Sequence, residues 1–222
     1  MSIAGVLRSA LVLAGVLGLA ACAVGPREVP DDRDAAWADL RAQLEALESW
    51  HAEGRLSVNM SGDGGSAGFD WRERADGRFT LRLAGPWGQG VARLSGDDQR
   101  VELDTGEGQV ITGADASVLL RDLYGWNIPV AGLRRWLIGL PAADTAEATY
   151  TLDRFGRLET LVWDDWEIEY RRHRRVDDLD LPAILRADRM DGEARIRIAV
   201  DRWQLREADS GDDDSGVPLI GD

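Results

Sequence analysis

Cys22 is the only thiol in 222 residues, and its neighbours decide what it can do. Arg8 precedes an apolar run from Ala10 to Ala21. The run is too short to span a bilayer and has the form of a secretory signal. It ends Leu19-Ala20-Ala21-Cys22, the pattern of a bacterial lipobox, in which the cysteine is lipidated and becomes the first residue of the mature chain. An ordinary signal peptide with an incidental cysteine is the competing reading. A lone cysteine forms no internal disulfide, which is unusual for an exported protein, so this thiol needs another use. Lipidation decides membrane attachment, because each buried methylene contributes ~0.8 kcal/mol and two or more chains hold a protein stably at a bilayer. Ala23 follows Cys22 rather than an aspartate, which points to the outer membrane.

The remaining candidates for chemistry are few. His51 lies on the polar side of a strand pattern, and His173 sits in the run YRRHRR. Neither has a ligand-spaced neighbour in sequence or a nucleophile beside it. There is no G-x-S-x-G, phosphate-binding loop or zinc spacing, so no catalytic residue, no metal site and no cofactor is expected, and the chain is read as not an enzyme. Asp212 to Asp214 lack the spacing of a calcium loop. Net charge is −14 and every basic residue is arginine, and an acidic chain without a basic stripe excludes nucleic acid as a partner. The basic run Arg171 to Arg175 suits anionic lipid or an acidic partner; it equally suits a solvated strand end balanced by Asp177, Asp178 and Asp180.

Nine tryptophans are many for this length. Six of them, Trp37, Trp50, Trp71, Trp136, Trp166 and Trp203, fall on apolar faces at the local period and read as core or cavity lining. Trp87 breaks the pattern. It stands in AGPWGQG, a turn whose glycines and proline offer it nothing to pack on. An exposed ring of this kind marks an interaction surface; the alternative is a ring folded back onto its own hairpin.

These residues must be positioned by a mixed chain. Trp37, Leu40, Leu44 and Leu47 recur at helical spacing. The period then changes to two through WHAEGRLSVNM, GFDW and RFTLRL, with short strands following around 91–94, 101–103 and 109–112. A helical insert from Ala114 to Leu140 interrupts them. Its first helix carries Ala116, Leu119, Leu120 and Leu123; its second starts near Pro129 and carries Val130, Leu133, Trp136 and Leu137. Strands then resume to the alternating Ala194, Ile196, Ile198 and Val200. One helix, about six strands, two helices and about five strands give an α+β, mainly β chain. The expected fold is an incomplete antiparallel barrel of about 11 strands, with about three helices covering or filling a hydrophobic cavity. Periodicity leaves open whether the interior is filled or hollow. The segments read as a signal peptide at 1–21, a lipidated start and spacer at 22–33, one folded domain at 34–206 and an acidic disordered tail at 207–222.

In order along the chain, the lipobox, GRLSV at 54–58, GFDW at 68–71, GPWG at 85–88, IPVAGLRRWLIGLP at 128–141, WEIEY at 166–170, LPAIL at 181–185 and RIRIAVDRW at 195–203 together resemble the LolB family of outer-membrane lipoprotein receptors. The resemblance covers nearly the whole mature chain except the acidic tail. It implies a half-barrel whose apolar cavity accepts acyl chains of lipoproteins handed over by the periplasmic carrier LolA, followed by insertion into the outer membrane, without nucleotide or metal. It implies a protein on the inner leaflet facing the periplasm, held by Cys22, with the carrier, cargo acyl chains and outer-membrane phospholipid as partners and a monomer as the working unit. It places Pro86, Trp87 and Gly88 in a protruding insertion loop, where tryptophan replaces the family's leucine. The alternating series Leu56, Val58, Phe69, Trp71, Phe79, Leu81, Leu83, Ile196 and Ile198, with Leu119, Leu123, Leu133, Trp136 and Leu137 from the helices, are the candidates for the cavity wall. An envelope lipoprotein that binds another apolar ligand or acts as a scaffold is the alternative.

Overall fold

The structure, a computed structural model, describes residues 28–60, 63–85, 91–142 and 148–205. Helix α1, Arg33–Glu45, begins where the Asp32 carboxylate accepts hydrogen bonds from the backbone N–H groups of Asp34 and Ala35. Six strands follow: β1 Trp50–Met60, β2 Asp63–Glu73, β3 Phe79–Ala84, β4 Val91–Gly96, β5 Val101–Asp104 and β6 Val110–Gly113. Helices α2, Ala116–Tyr124, and α3, Val130–Leu137, come next. The chain then returns to strands β7 Thr149–Leu152, β8 Leu158–Trp163, β9 Trp166–Val176, β10 Leu179–Arg189 and β11 Ala194–Gln204.

The eleven strands form one antiparallel sheet in the order β6-β5-β4-β3-β2-β1-β11-β10-β9-β8-β7. It is two meanders joined at the centre by β1 and β11. Strands β6 and β7 are its two edges and are not neighbours in the sheet, so the barrel is incomplete. The segment carrying α2 and α3 runs from one edge to the other.

Alternation explains which faces are buried. In β11, Ala194, Ile196, Ile198 and Val200 are buried and their neighbours are not. Opposite Glu53 and Gly54 the pairing skips Asp201, a bulge that shifts the phase by one and turns Trp203 inward. Trp203 then meets Trp50 edge-on, with ring centroids 5.6 Å apart, and its indole N–H donates to the Pro182 carbonyl at 2.9 Å.

The interior that periodicity left undecided is both filled and hollow. Under β8–β11 it is filled. Trp136 is fully buried, with its ring 5.7 Å from Trp163 and 6.0 Å from Trp166. The Tyr170 hydroxyl donates to the Trp136 carbonyl. Leu44 of α1 reaches the same core beside Gly139 and Pro182. At Gly156, φ is +73° and an added Cβ would lie 2.8 Å from Ala36, so this glycine is what lets the β7–β8 turn lie against α1. Under β1–β5 the interior is hollow.

Candidate functional site

A cavity of about 360 Å³ lies between the first meander and the two helices. Its floor is Leu56 and Val58 of β1, Trp71 of β2, Leu81 and Leu83 of β3, Leu94 of β4, Leu103 of β5 and Ile196 of β11. These are inward positions of adjacent strands, brought side by side because residues i and i+2 share a face. Its roof is Leu120 of α2, Trp126 and Ile128 of the connection, and Val130 and Leu133 of α3. Among the described residues of the wall, Ser66 alone carries a side-chain hydroxyl. A wall this apolar has the character of a surface that hydrocarbon wets, with few groups that could hydrogen-bond a polar ligand. Leu83 and Ala92, both in the wall, are paired across β3 and β4. The lining therefore extends to within one residue of the end of β3 and the start of β4.

The two roof helices are held very differently. Arg134 of α3 reaches across to Glu73 at the end of β2 with two parallel bonds of 2.8 and 2.7 Å. The same guanidinium lies 4.7 Å from the centre of the Phe79 ring and bonds Asp98 at 3.1 Å. The Trp71 indole N–H donates to Glu73 at 3.1 Å. Burial pushes the Glu73 carboxyl above its ordinary value, opposed by the bonds from Arg134 and Trp71. Burial also opposes the charge on Arg134, yet the carboxylates of Glu73 and Asp98 outweigh it and hold the guanidinium above its usual range. The two effects pull the pair in opposite senses; the bidentate geometry is that of an ionised pair. Trp136 and Leu137 complete the grip on α3, each fully buried.

Helix α2 has less to hold it. Asp115 caps it, accepting from the Val118 N–H at 2.9 Å, and the Ser117 hydroxyl accepts the Val130 N–H of α3 at 3.0 Å. Ala116 and Leu119 are buried, but Val118 and Leu123 are 41% and 42% exposed. Gly125, at φ +70°, ends the helix.

Of the residues assigned to the cavity from sequence, Leu56, Val58, Trp71, Leu81, Leu83, Leu133 and Ile196 line it together. The others do not. Phe69 packs over Gly54, taking the space a β1 side chain would occupy. Phe79 lies under Arg134. Leu119 presses against Gly113, where an added Cβ would be 2.8 Å away. Ile198 is buried between its strand partners Leu56 and Leu185. Trp136 and Leu137 belong to the filled half, and Leu123 faces outward. Cys22, Pro86, Trp87 and Gly88 lie outside the described residues.

Sequence reasoning left several parts of the site unassigned, Leu94, Leu103, Leu120 and Val130 of the wall among them. Trp126 and Ile128 line the cavity from a connection with no period to read. Glu73 continues the inward phase of Phe69 and Trp71. A carboxylate on an apolar face signals a buried partner, which here is Arg134.

The family model described as outer membrane lipoprotein LolB matches residues 48–203. The outer-membrane lipoprotein LolB of Nitrosococcus oceani is 31% identical over 199 residues, covering 89% of this chain and 98% of that protein. Its counterpart in Alkalilimnicola ehrlichii is 35% identical over 200 residues, covering 89% and 98%. Among solved structures, a LolA superfamily protein from Nitrosomonas europaea superposes with a TM-score of 0.48 at 7% identity, covering 82% of this chain and 95% of that one.

Proposed function

This chain belongs to the outer membrane lipoprotein LolB family, and we propose on that footing that the cavity under β1–β5 is where it receives the acyl chains of a lipoprotein from LolA. It is an outer-membrane lipoprotein receptor, and delivery to the outer membrane ends its task. The observation that supports the site is the cavity itself, about 360 Å³ with an almost wholly apolar wall. A closed 150 Å³ apolar cavity stays dry and holds a benzene-sized ligand, so this one takes a stretch of one acyl chain. A cargo with up to three chains requires more room. At ~0.8 kcal/mol per methylene, chains left in water would cost tens of kcal/mol, so the roof opens as cargo enters. Helix α2 and the connection through Trp126 are the part that moves, because α3 is fastened by Arg134 and Trp136 and α2 is not. The transfer proceeds without a covalent step on the cargo.

Residues 1–21 are the export signal, Cys22 carries the anchor and the residues from 23 to the start of α1 are its spacer. The anchor is separate from the receiving site. Cys22→Ala behind a cleavable signal should yield soluble protein that accepts cargo from the carrier at the unaltered rate. The check is transfer of a labelled lipoprotein, and failure of well-folded variant protein would make the tether part of the site.

Pro86-Trp87-Gly88 is the delivery loop, since tryptophan favours the membrane interface and these residues lie in the chain between β3 and β4, whose paired Leu83 and Ala92 line the cavity. A two-stage assay, scoring carrier-to-receptor transfer apart from receptor-to-liposome insertion, tests it. Trp87→Glu should leave the first stage intact and slow the second by roughly tenfold, or about 1.4 kcal/mol; Trp87→Leu should keep most of both. Equal loss in both stages with a lower Tm would make Trp87 a packing residue of its hairpin.

A further inference from the structure

On the outer face of the sheet, away from the cavity, three potential ligands converge. His51 and Glu53 project from the same face of β1, and Asp70 stands opposite Glu53 on β2. The His51 Nε2 lies 3.1 Å from Asp70 Oδ2 and 3.6 Å from Glu53 Oε1. The other ring nitrogen, Nδ1, is 3.0 Å from the Gln204 side-chain carbonyl of β11. With that carbonyl facing the ring, Nδ1 carries the proton and donates it. Nε2, the other ring nitrogen, then faces two carboxylates. Nε2 is shielded from water and makes no well-aligned hydrogen bond. A ring nitrogen facing two carboxylate oxygens at these distances outlines a place that a cation would complete.

We propose that His51, Glu53 and Asp70 form a zinc site. The three ligand atoms lie within 4.8 Å of one another. In a tetrahedral zinc site with ligands at about 2.0–2.2 Å, neighbouring ligand atoms are about 3.3–3.5 Å apart, and the distances from Nε2 bracket that edge. Imidazole with two carboxylates suits zinc better than magnesium or calcium, which prefer all-oxygen shells. The surroundings supply what ligands of such a site need. Gln204 fixes the tautomer of His51, as outer-shell acceptors do for metal-bound histidine. Arg72 holds Asp70 at 3.1 Å and Arg202 holds Glu53 at 3.2 Å. Those two guanidinium groups cancel the charge of the carboxylates, so the site binds zinc reversibly rather than permanently. His51 is 15% exposed and each carboxylate 34%, leaving a way in from solvent and a fourth position for water. Zinc here would pin β2 and β1 through its ligands, and β11 through Gln204.

The test uses the intact chain in detergent, stripped with EDTA, with ZnCl₂ as the probe. Titration calorimetry should show one saturable zinc per chain at pH 7.5, and zinc should raise Tm by several degrees. His51→Ala and Glu53→Gln should each weaken binding at least tenfold and abolish the rise in Tm. Gln204→Leu should weaken it by roughly tenfold, because the ring loses its orienting acceptor. MgCl₂ at the same concentration should shift nothing. The proposal is overturned if no zinc binds, or if binding persists unchanged in His51→Ala, which would place it on other acidic residues. It is equally overturned if mild acidification reproduces the rise in Tm while zinc does not, since the charge between the carboxylates is then only a proton.

Discussion

Leu83→Asp should cost the protein at least a hundredfold in affinity for an acyl-chain probe and leave its fold in place. Leu83 lines the cavity yet is only partly buried, one residue from the end of β3. In the empty cavity a carboxylate there can keep its water. An entering hydrocarbon chain strips that water, and the penalty for an unpaired ion is several kcal/mol. Each 1.4 kcal/mol is a factor of ten. Leu83→Met, which preserves volume and polarity, should bind within a few-fold of the parent. An environment-sensitive fatty-acid probe, displaced by lipoprotein, measures both variants, and circular dichroism verifies the fold. Undiminished binding in folded Leu83→Asp would mean that acyl chains do not enter between β3 and α3.

Arg134→Ala should lower Tm by roughly 6–20 °C. Removing one partner of a buried pair leaves an unpaired charge and costs about 3–5 kcal/mol; in a domain of this size each kcal/mol is worth about 2–4 °C. The side chains of Arg134 and Glu73 are 19% and 10% exposed, so solvent screens the pair little. Arg134→Lys should recover part of the loss, since an ammonium cannot make both parallel bonds. Adding Glu73→Gln to Arg134→Ala should recover more by removing the stranded charge. The loss should also depend on pH. Burial already raises the Glu73 carboxyl above its ordinary 4.5, and loss of Arg134 raises it further. A carboxyl raised in the folded state favours folding below its unfolded value, and that contribution is lost as pH rises through the folded value. The deficit of Arg134→Ala should therefore be full near pH 7.5 and shrink toward pH 4.5. Melting curves at several pH values decide this, and a deficit independent of pH would assign the effect to lost packing on Phe79.

The strands were readable because a half-buried strand writes its burial into alternate residues: Ala194, Ile196, Ile198 and Val200 are buried as they alternate. The two insert helices were readable from apolar stripes of which only one is fully covered, Val130 to Leu137 rather than Ala116 to Leu123. The division into a filled and a hollow half was not readable. Trp71 and Trp136 look alike in sequence, but one borders the cavity and the other is fixed among Trp163 and Trp166. What separates them is which strands curl over which helix, a long-range matter that a local period does not carry. The bulge at Asp201 is nearly as silent: β11 holds neither glycine nor proline, and its one mark is Gly54 on the facing strand. The zinc ligands escaped for a similar reason: His51 and Glu53 are two apart, but Asp70 joins them only through strand pairing.

The junction of β1 with β11 governs how this protein comes to be folded at all. His51 and Gln204 touch across 153 residues of chain. Each meander can assemble from neighbouring hairpins as it emerges, but the seam between them closes only after the last strand has arrived. Until then β1 and β10 present bare edges that invite pairing with other chains. Contacts so distant in sequence make for slow folding, on the millisecond-to-second scale typical of β-rich domains. The polypeptide must thus be complete through β11 before it becomes a receptor. A chain truncated anywhere before Ala194 would leave an unzipped half-sheet, a substrate for quality-control proteases rather than a weaker version of the working protein.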